Sequence, residues 1–330
     1  MAERPGKRPR GLILGKFLPP HLGHVYLGDF ARQHVDELTI VVGSLRREPI
    51  PGDLRCTWMK ELFPDARVLH LAQELPQDPT EAPDFWVQWT AALRAILPER
   101  PDCVFASETY GRKLAEVLGA EWVPVDLERS LVPISGTALR TDPMKHWRYL
   151  PACVRPHFVR RVCVFGPEST GKTELARRLA ERFETVWVAE YARPLLALQG
   201  DRCGPEDIPR IARGQLASEE ALARQANRVL LCDTDVLTTS MWSDLLFREC
   251  PAWIREEGLR RRYDLTLLTD VDCPWVDDPQ RFFPEKRREM FQRCVRELEA
   301  AGRSFVRISG TSWEERLERA AAEVEALLAL

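Results

Sequence analysis

Two short stretches of this chain carry residues at spacings that suit phosphate chemistry. Gly166-Pro167-Glu168-Ser169-Thr170-Gly171-Lys172-Thr173 satisfies G-x-x-x-x-G-K-[ST] at every specified position, between an apolar run and a helical pattern. The glycines let the backbone curl so that successive N–H groups point at phosphate oxygens. Lys172 neutralises the outer phosphates, and Thr173 offers a hydroxyl to Mg²⁺. The second stretch, Gly15-Lys16-Phe17-Leu18-Pro19-Pro20-His21-Leu22-Gly23-His24, sets two histidines three residues apart around a glycine. A glycine at a helix start lets a phosphate approach the backbone. Two imidazoles beside it can donate hydrogen bonds to a triphosphate and stabilise charge building on a pentavalent phosphorus.

Other residues are placed to assist. Ser135-Gly136-Thr137-Ala138-Leu139-Arg140 opens a second helix in the first half, where Ser135 and Thr137 offer hydroxyls to phosphate. Lys16 and Arg140 add fixed positive charge there. Phosphoryl transfer in the second half needs one carboxylate to accept a hydroxyl proton and one to order a metal. The candidates stand at strand ends: Glu190, opening Glu190-Tyr191-Ala192-Arg193, and Asp233 and Asp235 after Val229–Cys232. Further on, Trp275-Val276-Asp277-Asp278-Pro279-Gln280-Arg281 precedes Lys286-Arg287-Arg288 and reads as a lid. Arg281 or Arg287 would reach the transferring group, with Asp277 and Arg281 the better candidates. Each has a plain alternative: His21 as a polar core residue, Ser135 and the acids as helix caps, Lys286–Arg288 as a solvated helix face.

These residues need a scaffold of alternating strands and helices. Strands are expected at 11–15, 38–42, 66–71, 103–106 and 122–125 in the first half. In the second they are expected at 162–165, 185–189, 228–232, 265–269 and 304–308. Helices are expected near 23–33, 85–97, 144–150, 172–183 and 312–330, with a Pro-rich loop at 76–83. This alternation predicts an α/β protein of two parallel sheets with ligands at the carboxyl ends of the strands. The predicted boundaries are a disordered N-terminus at 1–10, a first domain over 11–150, a linker at 151–161 and a second domain over 162–330.

Composition narrows the class. The length, 330 residues, suits two domains. With 47 basic against 50 acidic residues there is no cationic surplus for long nucleic acid. Nine scattered cysteines form no C-x-x-C pair and no Cys/His cluster, which argues against zinc and a disulfide framework. The basic first ten residues lack an apolar core of signal-peptide length, and no stretch approaches the ~20 apolar residues of a membrane helix. A cytoplasmic protein without membrane insertion is expected, and homo-oligomerisation is left open.

Lys16-Phe17 to His21-x-Gly23-His24, paired with Ile134-Ser135-Gly136-Thr137-x-x-Arg140, resembles the HxGH nucleotidylyltransferase superfamily, and within it the archaeal-like nicotinamide mononucleotide (NMN) adenylyltransferases. Followed by the P-loop, Glu190-Tyr191-Ala192-Arg193, Asp233-Thr234-Asp235 and Trp275-Val276-Asp277-Asp278, the order is similar to the bacterial NadR family. The resemblance covers about Gly11 to Ile308. It implies a Rossmann-like nucleotidylyltransferase domain followed by a P-loop kinase domain. Their activities would be NMN adenylyltransferase and ribosylnicotinamide kinase, with ATP and Mg²⁺.

Carried over by position, the resemblance makes His21, His24, Lys16 and Arg140 the adenylyl-transfer residues, with Gly15, Phe17, Gly23, Ser135, Gly136 and Thr137 around the nucleotide. In the second domain Gly166–Thr173 and Arg281 would hold ATP, and Thr173 with Asp233 would hold Mg²⁺. Glu190 and Asp235 would hold ribose hydroxyls. The base stays open among Glu190, Asp233 and Asp235. Tyr191 would stack on nicotinamide, its alternative being a core tyrosine, and Arg193, Asp233, Trp275 and Asp277 would contact substrate. Arg46–Pro83 holds no alignable motif. Some relatives carry an N-terminal helix-turn-helix. Only about ten residues precede the first strand here, so DNA binding is not expected. Competing readings are a kinase with a silent, sensory first domain, an NAD-responsive regulator, and a first domain acting as a cytidylyltransferase or pantetheine-phosphate adenylyltransferase.

Overall fold

The computed structural model describes residues 9–281, 283–310 and 312–329, in two compact units that divide between Val154 and Arg155. The first unit is built on five parallel strands: β1 (Arg10–Gly15), β2 (Glu37–Gly43), β3 (Arg67–Leu71), β4 (Cys103–Ala106) and β5 (Glu121–Pro124). Their order is β3-β2-β1-β4-β5. Side chains alternate across a strand, so successive residues feed opposite cores. Ile13, Ile40, Val42 and Phe105 face the helices Leu22–His34 and Gly52–Leu62, packing with Leu27, Ala31, Met59 and Phe63. Leu12, Val41 and Val104 face the helices Phe85–Ile96 and Tyr110–Leu118, packing with Leu93 and Leu114. Burial on both faces explains why the inner strands β1, β2 and β4 read as continuous apolar runs. The chain leaves β1 for β2 and β3, then returns to β4 on the other side of β1. The carboxyl ends of β1 and β4 therefore open a crevice.

The second unit repeats the scheme with β6 (Arg160–Phe165), β7 (Trp187–Val188), β8 (Val229–Asp233), β9 (Leu265–Thr269) and β10 (Val306–Ile308), all parallel in the order β10-β9-β6-β8-β7. Val162, Val164, Leu231 and Leu267 meet the helices Lys172–Arg182 and Trp313–Ala329 on one face. Cys163, Phe165 and Leu268 meet the helices Val236–Phe247 and Arg287–Ala300 on the other. Central β6, between β8 and β9, delivers the G-x-x-x-x-G-K-T loop at its carboxyl end.

Three boundaries differ from expectation. The linker proposed at 151–161 holds a helical turn, Arg155–Phe158, and the first two residues of β6. Two arginines read as loop, yet the Arg160 N–H bonds the Arg228 carbonyl at 2.9 Å and the Arg161 N–H bonds Asp264 Oδ2 at 2.8 Å, drawing both into the ladder. Residues 1–8 of the N-terminus expected to be disordered lie outside the described residues. Of its last two, Pro9 accepts the Asp36 and Glu37 N–H groups and Arg10 begins β1. The helical stretch expected at 144–150 is a 3₁₀ turn, Trp147–Tyr149. No described helix is long and apolar enough to cross a membrane. All nine cysteines are free thiols.

The helix Leu22–His34 approaches its neighbour closely because Gly28 has no side chain. A Cβ there would lie 2.2 Å from the Phe63 ring. Gly28→Val is expected to cost about 1–3 kcal/mol of stability by overpacking. Thermal unfolding reads the loss, and an unchanged midpoint would show that the ring can yield.

Candidate active sites

A cavity of about 780 Å³ opens at the carboxyl ends of β1 and β4, and every residue singled out in the first half, from Gly15 to Arg140, lines it. The His21 and His24 rings stack with centroids 3.7 Å apart. The His21 N–H donates to His24 Nδ1 at 3.2 Å, so the neutral His24 ring carries its proton on Nε2. Gly23 makes room for the pair, since a Cβ there would sit 3.0 Å from the His21 ring. Burial, then the positive charge of Arg129, pushes His21 down to about 4. Burial, then the charges of His21 and Arg129, hold His24 well below the ordinary imidazole range. Both rings are neutral hydrogen-bond donors at physiological pH.

The two motifs of this unit are fastened together across 122 residues. Arg140 donates to the Leu18 carbonyl and, at 3.1 Å, to Thr137 Oγ1. Gly136 abuts the same carbonyl, where a Cβ would come to 2.8 Å. Ser135 Oγ caps its helix by accepting the Ala138 N–H. Its plain reading as a cap therefore holds alongside its place in the cavity. Arg140 is thus largely committed to shaping the loop. Arg129, held by Glu108 at 2.7 Å, is the cation whose field reaches the histidines.

Sequence reasoning missed Arg129 and the anchors inside Arg46–Pro83. Arg55 is fully buried and donates to the carbonyls of Lys16 at 2.5 Å and Gly43 at 3.3 Å, tying together the ends of β1 and β2. Glu48 pairs with Arg55 at 2.6 Å and with Lys16 at 3.3 Å. Burial alone would raise the Glu48 carboxyl, but the Leu45 N–H and the Arg55 guanidinium outweigh it and hold the group low. Ser44, also lining the cavity, lies 2.7 Å from His70 Nε2. No local spacing announces these partners, which come from different strand ends.

In the second unit a cavity of about 240 Å³ is lined by Glu168–Thr173. Gly166 and Pro167 shape the loop behind it. Gly166 at φ +145° and Gly171 at φ +78° hold conformations that other residues rarely adopt. The Lys172 ammonium donates to the Pro167 carbonyl at 2.7 Å, and Thr173 Oγ1 donates to Asp233 Oδ2 at 2.6 Å. Thr170 Oγ1 bonds Pro167 O at 2.8 Å and lies 2.7 Å from Thr269 Oγ1, bracing the loop on β9. Arg316, buried beneath, grips the carbonyls of Thr170 at 2.9 Å and Asp270 at 3.1 Å and pairs with Asp272.

The three candidate acids separate. Asp233 is 0% exposed; burial and then the Glu190 charge push its carboxyl up to about 6, against Lys172 and Thr173. Its Oδ1 is buried with no hydrogen-bond partner. Glu190 lines the cavity and pairs with Arg193 at 3.2 Å. Neither Asp233 nor Asp235 lines it. Thr234 turns the chain at φ +65°, and Asp235 then caps the helix Val236–Phe247 through Thr238 and forms a buried ion pair with Arg303. This corrects the expectation that Asp235 meets substrate.

Two further expectations change. Tyr191 lies outside the cavity lining, its ring over Gly214, where a Cβ would fall 2.1 Å away; the aromatic wall is Trp242. Trp275 and Asp277 bond each other at 2.7 Å and do not line the cavity, whereas Asp278 pairs with Arg193 at 2.9 Å. The lid segment does lie on the P-loop. The Val276 N–H donates to Ser169 Oγ at 2.8 Å, and Arg281, lining the cavity, reaches the same oxygen at 3.4 Å. Arg287 donates to the Ser169 carbonyl at 2.9 Å, while Lys286 and Arg288 are exposed, as the solvated-face alternative required.

The His21 ring yields a pH prediction. A histidine in the unfolded chain titrates near 6.5 and folded His21 near 4, so the unfolded state binds more protons between those values. The contribution of the neutral ring is complete above about 6.5 and is lost as pH falls toward 4, about 3 kcal/mol in all. Urea unfolding at pH 7 and pH 5 should show a smaller acid-induced loss in His21→Asn than in the unsubstituted chain. Parallel losses would mean that the ring titrates normally.

Comparison with known proteins agrees with this architecture. A family model for the AAA domain matches residues 161–316. The trifunctional NAD biosynthesis/regulator protein NadR of Escherichia coli (strain K12) is 30% identical over 336 residues, covering 95% of this chain and 82% of the relative. Its counterpart in Salmonella typhimurium (strain LT2) is 30% identical over 332 residues, covering 94% and 81%. A solved structure of NadR protein in complex with NR has a TM-score of 0.78 at 23% identity, covering 98% of this chain and 96% of that one. One in complex with NAD and AMP-PNP has a TM-score of 0.75 at 23% identity, covering 98% and 97%. These structural likenesses are ones of fold. The second unit is a P-loop domain of the AAA type, and by identity sustained over nearly its whole length the chain belongs to the NadR family.

Proposed function

We propose that this chain is a bifunctional enzyme of NAD biosynthesis. Its P-loop domain would phosphorylate nicotinamide riboside to NMN with ATP. Its first domain, Rossmann-like and of the HxGH type, would adenylylate NMN with ATP to give NAD and pyrophosphate. The observation that carries this reading is that each domain has its own cavity at a helix N-terminus bearing phosphate-handling residues, the His21–His24 pair in one and Gly166–Thr173 in the other. The nicotinamide riboside and NAD complexes of NadR proteins support the choice of substrates.

In the first domain a phosphate oxygen of NMN attacks the α-phosphorus of ATP and pyrophosphate leaves. His24, with its proton on Nε2, donates to the phosphates. Neutral His21 beside it adds a second imidazole donor. Lys16 and Arg129 supply fixed positive charge from the cavity wall. Catalysis then rests on positioning and on donors aimed at developing charge, and no side chain needs to become a nucleophile.

In the second domain Lys172 and the loop N–H groups cradle the ATP phosphates, and Arg281 approaches from the lid. Glu190 is the supported base: of the three acids it is the one that lines the cavity, Asp235 being spent on Arg303 and Asp233 standing beside Thr173. Mg²⁺ fits Thr173 and Asp233, since both present hard oxygens 2.6 Å apart and Asp233 Oδ1 is orphaned. When bound, the ion would neutralise phosphate charge. Free thiols throughout suit a reducing, cytoplasmic setting.

Chromatography of NMN and NAD tests the two-site assignment. His24→Ala should lower NMN-to-NAD conversion by about 10²–10³-fold and spare phosphorylation of nicotinamide riboside. Lys172→Ala should do the reverse. Loss of both activities in either folded variant would overturn it.

A further inference from the structure

The kinase cavity contains a polar group that the mechanism above does not use. Gln215, on the helix Asp207–Ala223, is 2% exposed and lines the cavity. Its Oε1 accepts the Tyr191 N–H at 2.9 Å. That contact settles which end of the amide is which: the oxygen is spent on the backbone and the NH₂ end is free. Nε2 is buried and has no hydrogen-bond partner. A buried donor left unpaired is costly unless a ligand completes it.

The surroundings indicate what would complete it. Gln215 is fastened to the residue that follows Glu190, so a donor and an ionisable acceptor approach the cavity from neighbouring positions. A hydroxyl satisfies both, accepting with its oxygen and donating its proton. The aromatic wall, Trp242, stands on another helix, Val236–Phe247, and stacks on Phe283 with ring centroids 6.1 Å apart. On that helix the Thr238 hydroxyl is already spent on Asp235.

Resting on the kinase reading, we propose that Gln215 recognises the ribose of the acceptor nucleoside. Its Nε2–H donates to a secondary hydroxyl whose own proton is directed to Glu190. The domain thereby selects ribonucleosides over deoxynucleosides, because a substrate lacking that hydroxyl leaves the buried amide unpaired.

The test compares nicotinamide riboside with its 2′-deoxy and 3′-deoxy analogues as phosphate acceptors, by kcat/KM. The unsubstituted enzyme should reject one analogue by about 10- to 100-fold. Gln215→Glu keeps an oxygen for the Tyr191 N–H but cannot donate, and Gln215→Met keeps the shape without polarity. Both should lose about 10- to 100-fold on the riboside, keep the KM for ATP, and turn over the rejected analogue as the parent does. An equal loss on all three nucleosides would assign Gln215 to scaffolding and overturn the proposal, as would no loss on any. Failure of the parent enzyme to phosphorylate the riboside at all would overturn the kinase reading itself, and the proposal with it.

Discussion

A loop that binds phosphate through its backbone must leave N–H groups unpaired toward the ligand, so it has to be held from the carbonyl side. Both domains meet this constraint with arginine. In the first, Arg55 takes the carbonyls of Lys16 and Gly43 while Arg140 takes that of Leu18. In the second, Arg316 takes Thr170 and Asp270 from below, and Arg287 takes Ser169 from the lid. A guanidinium suits the task because its planar fork reaches several oxygens and stays charged when buried. The charge buried with it is offset nearby, by Glu48 for Arg55 and by Asp272 for Arg316. Remove these grips and the loops lose the side that faces away from phosphate.

The electrostatics of the two cavities follow from burial and from the charges set around each. The histidines of the first are kept neutral by burial and by Arg129, so they donate hydrogen bonds without adding charge to a site where Lys16 and Arg129 already supply it. The second cavity sets acids against its lysine. Burial and Glu190 together push Asp233 up, while Lys172 and Arg193 pull it back. Two carboxylates this close share a burden that a bound cation relieves, which accords with Asp233 Oδ1 lying orphaned beside the Thr173 hydroxyl.

All ten strands stand where apolar runs placed them, to within a few residues, and the inner ones are clearest because parallel strands buried on both faces leave a continuous signature. The misplaced ends run both ways: Arg160 and Arg161 extend β6 beyond its apolar run, while β7 and β10 are shorter than theirs. The two phosphate motifs were equally legible, since each is a local stretch whose geometry is settled within one loop and one helical turn. Asp233 and Asp235 were not separable by such reasoning. Two residues apart on a continuing strand they would share a face, but the positive φ of Thr234 turns the chain, leaving one on Thr173 of the P-loop and the other on Arg303.

From the order of residues alone came the α/β class, the two parallel sheets and the loops at their carboxyl ends, because periodicity and glycine spacing act over a few residues. Tertiary structure alone decided which side chains complete those loops. Arg55, Arg129, Gln215, Trp242 and Arg316 approach from separate helices and loops, and no spacing along the chain encodes a meeting made by packing. The same packing removed Tyr191 from the cavity by laying its ring over Gly214, and it made the histidines neutral by withdrawing them from water.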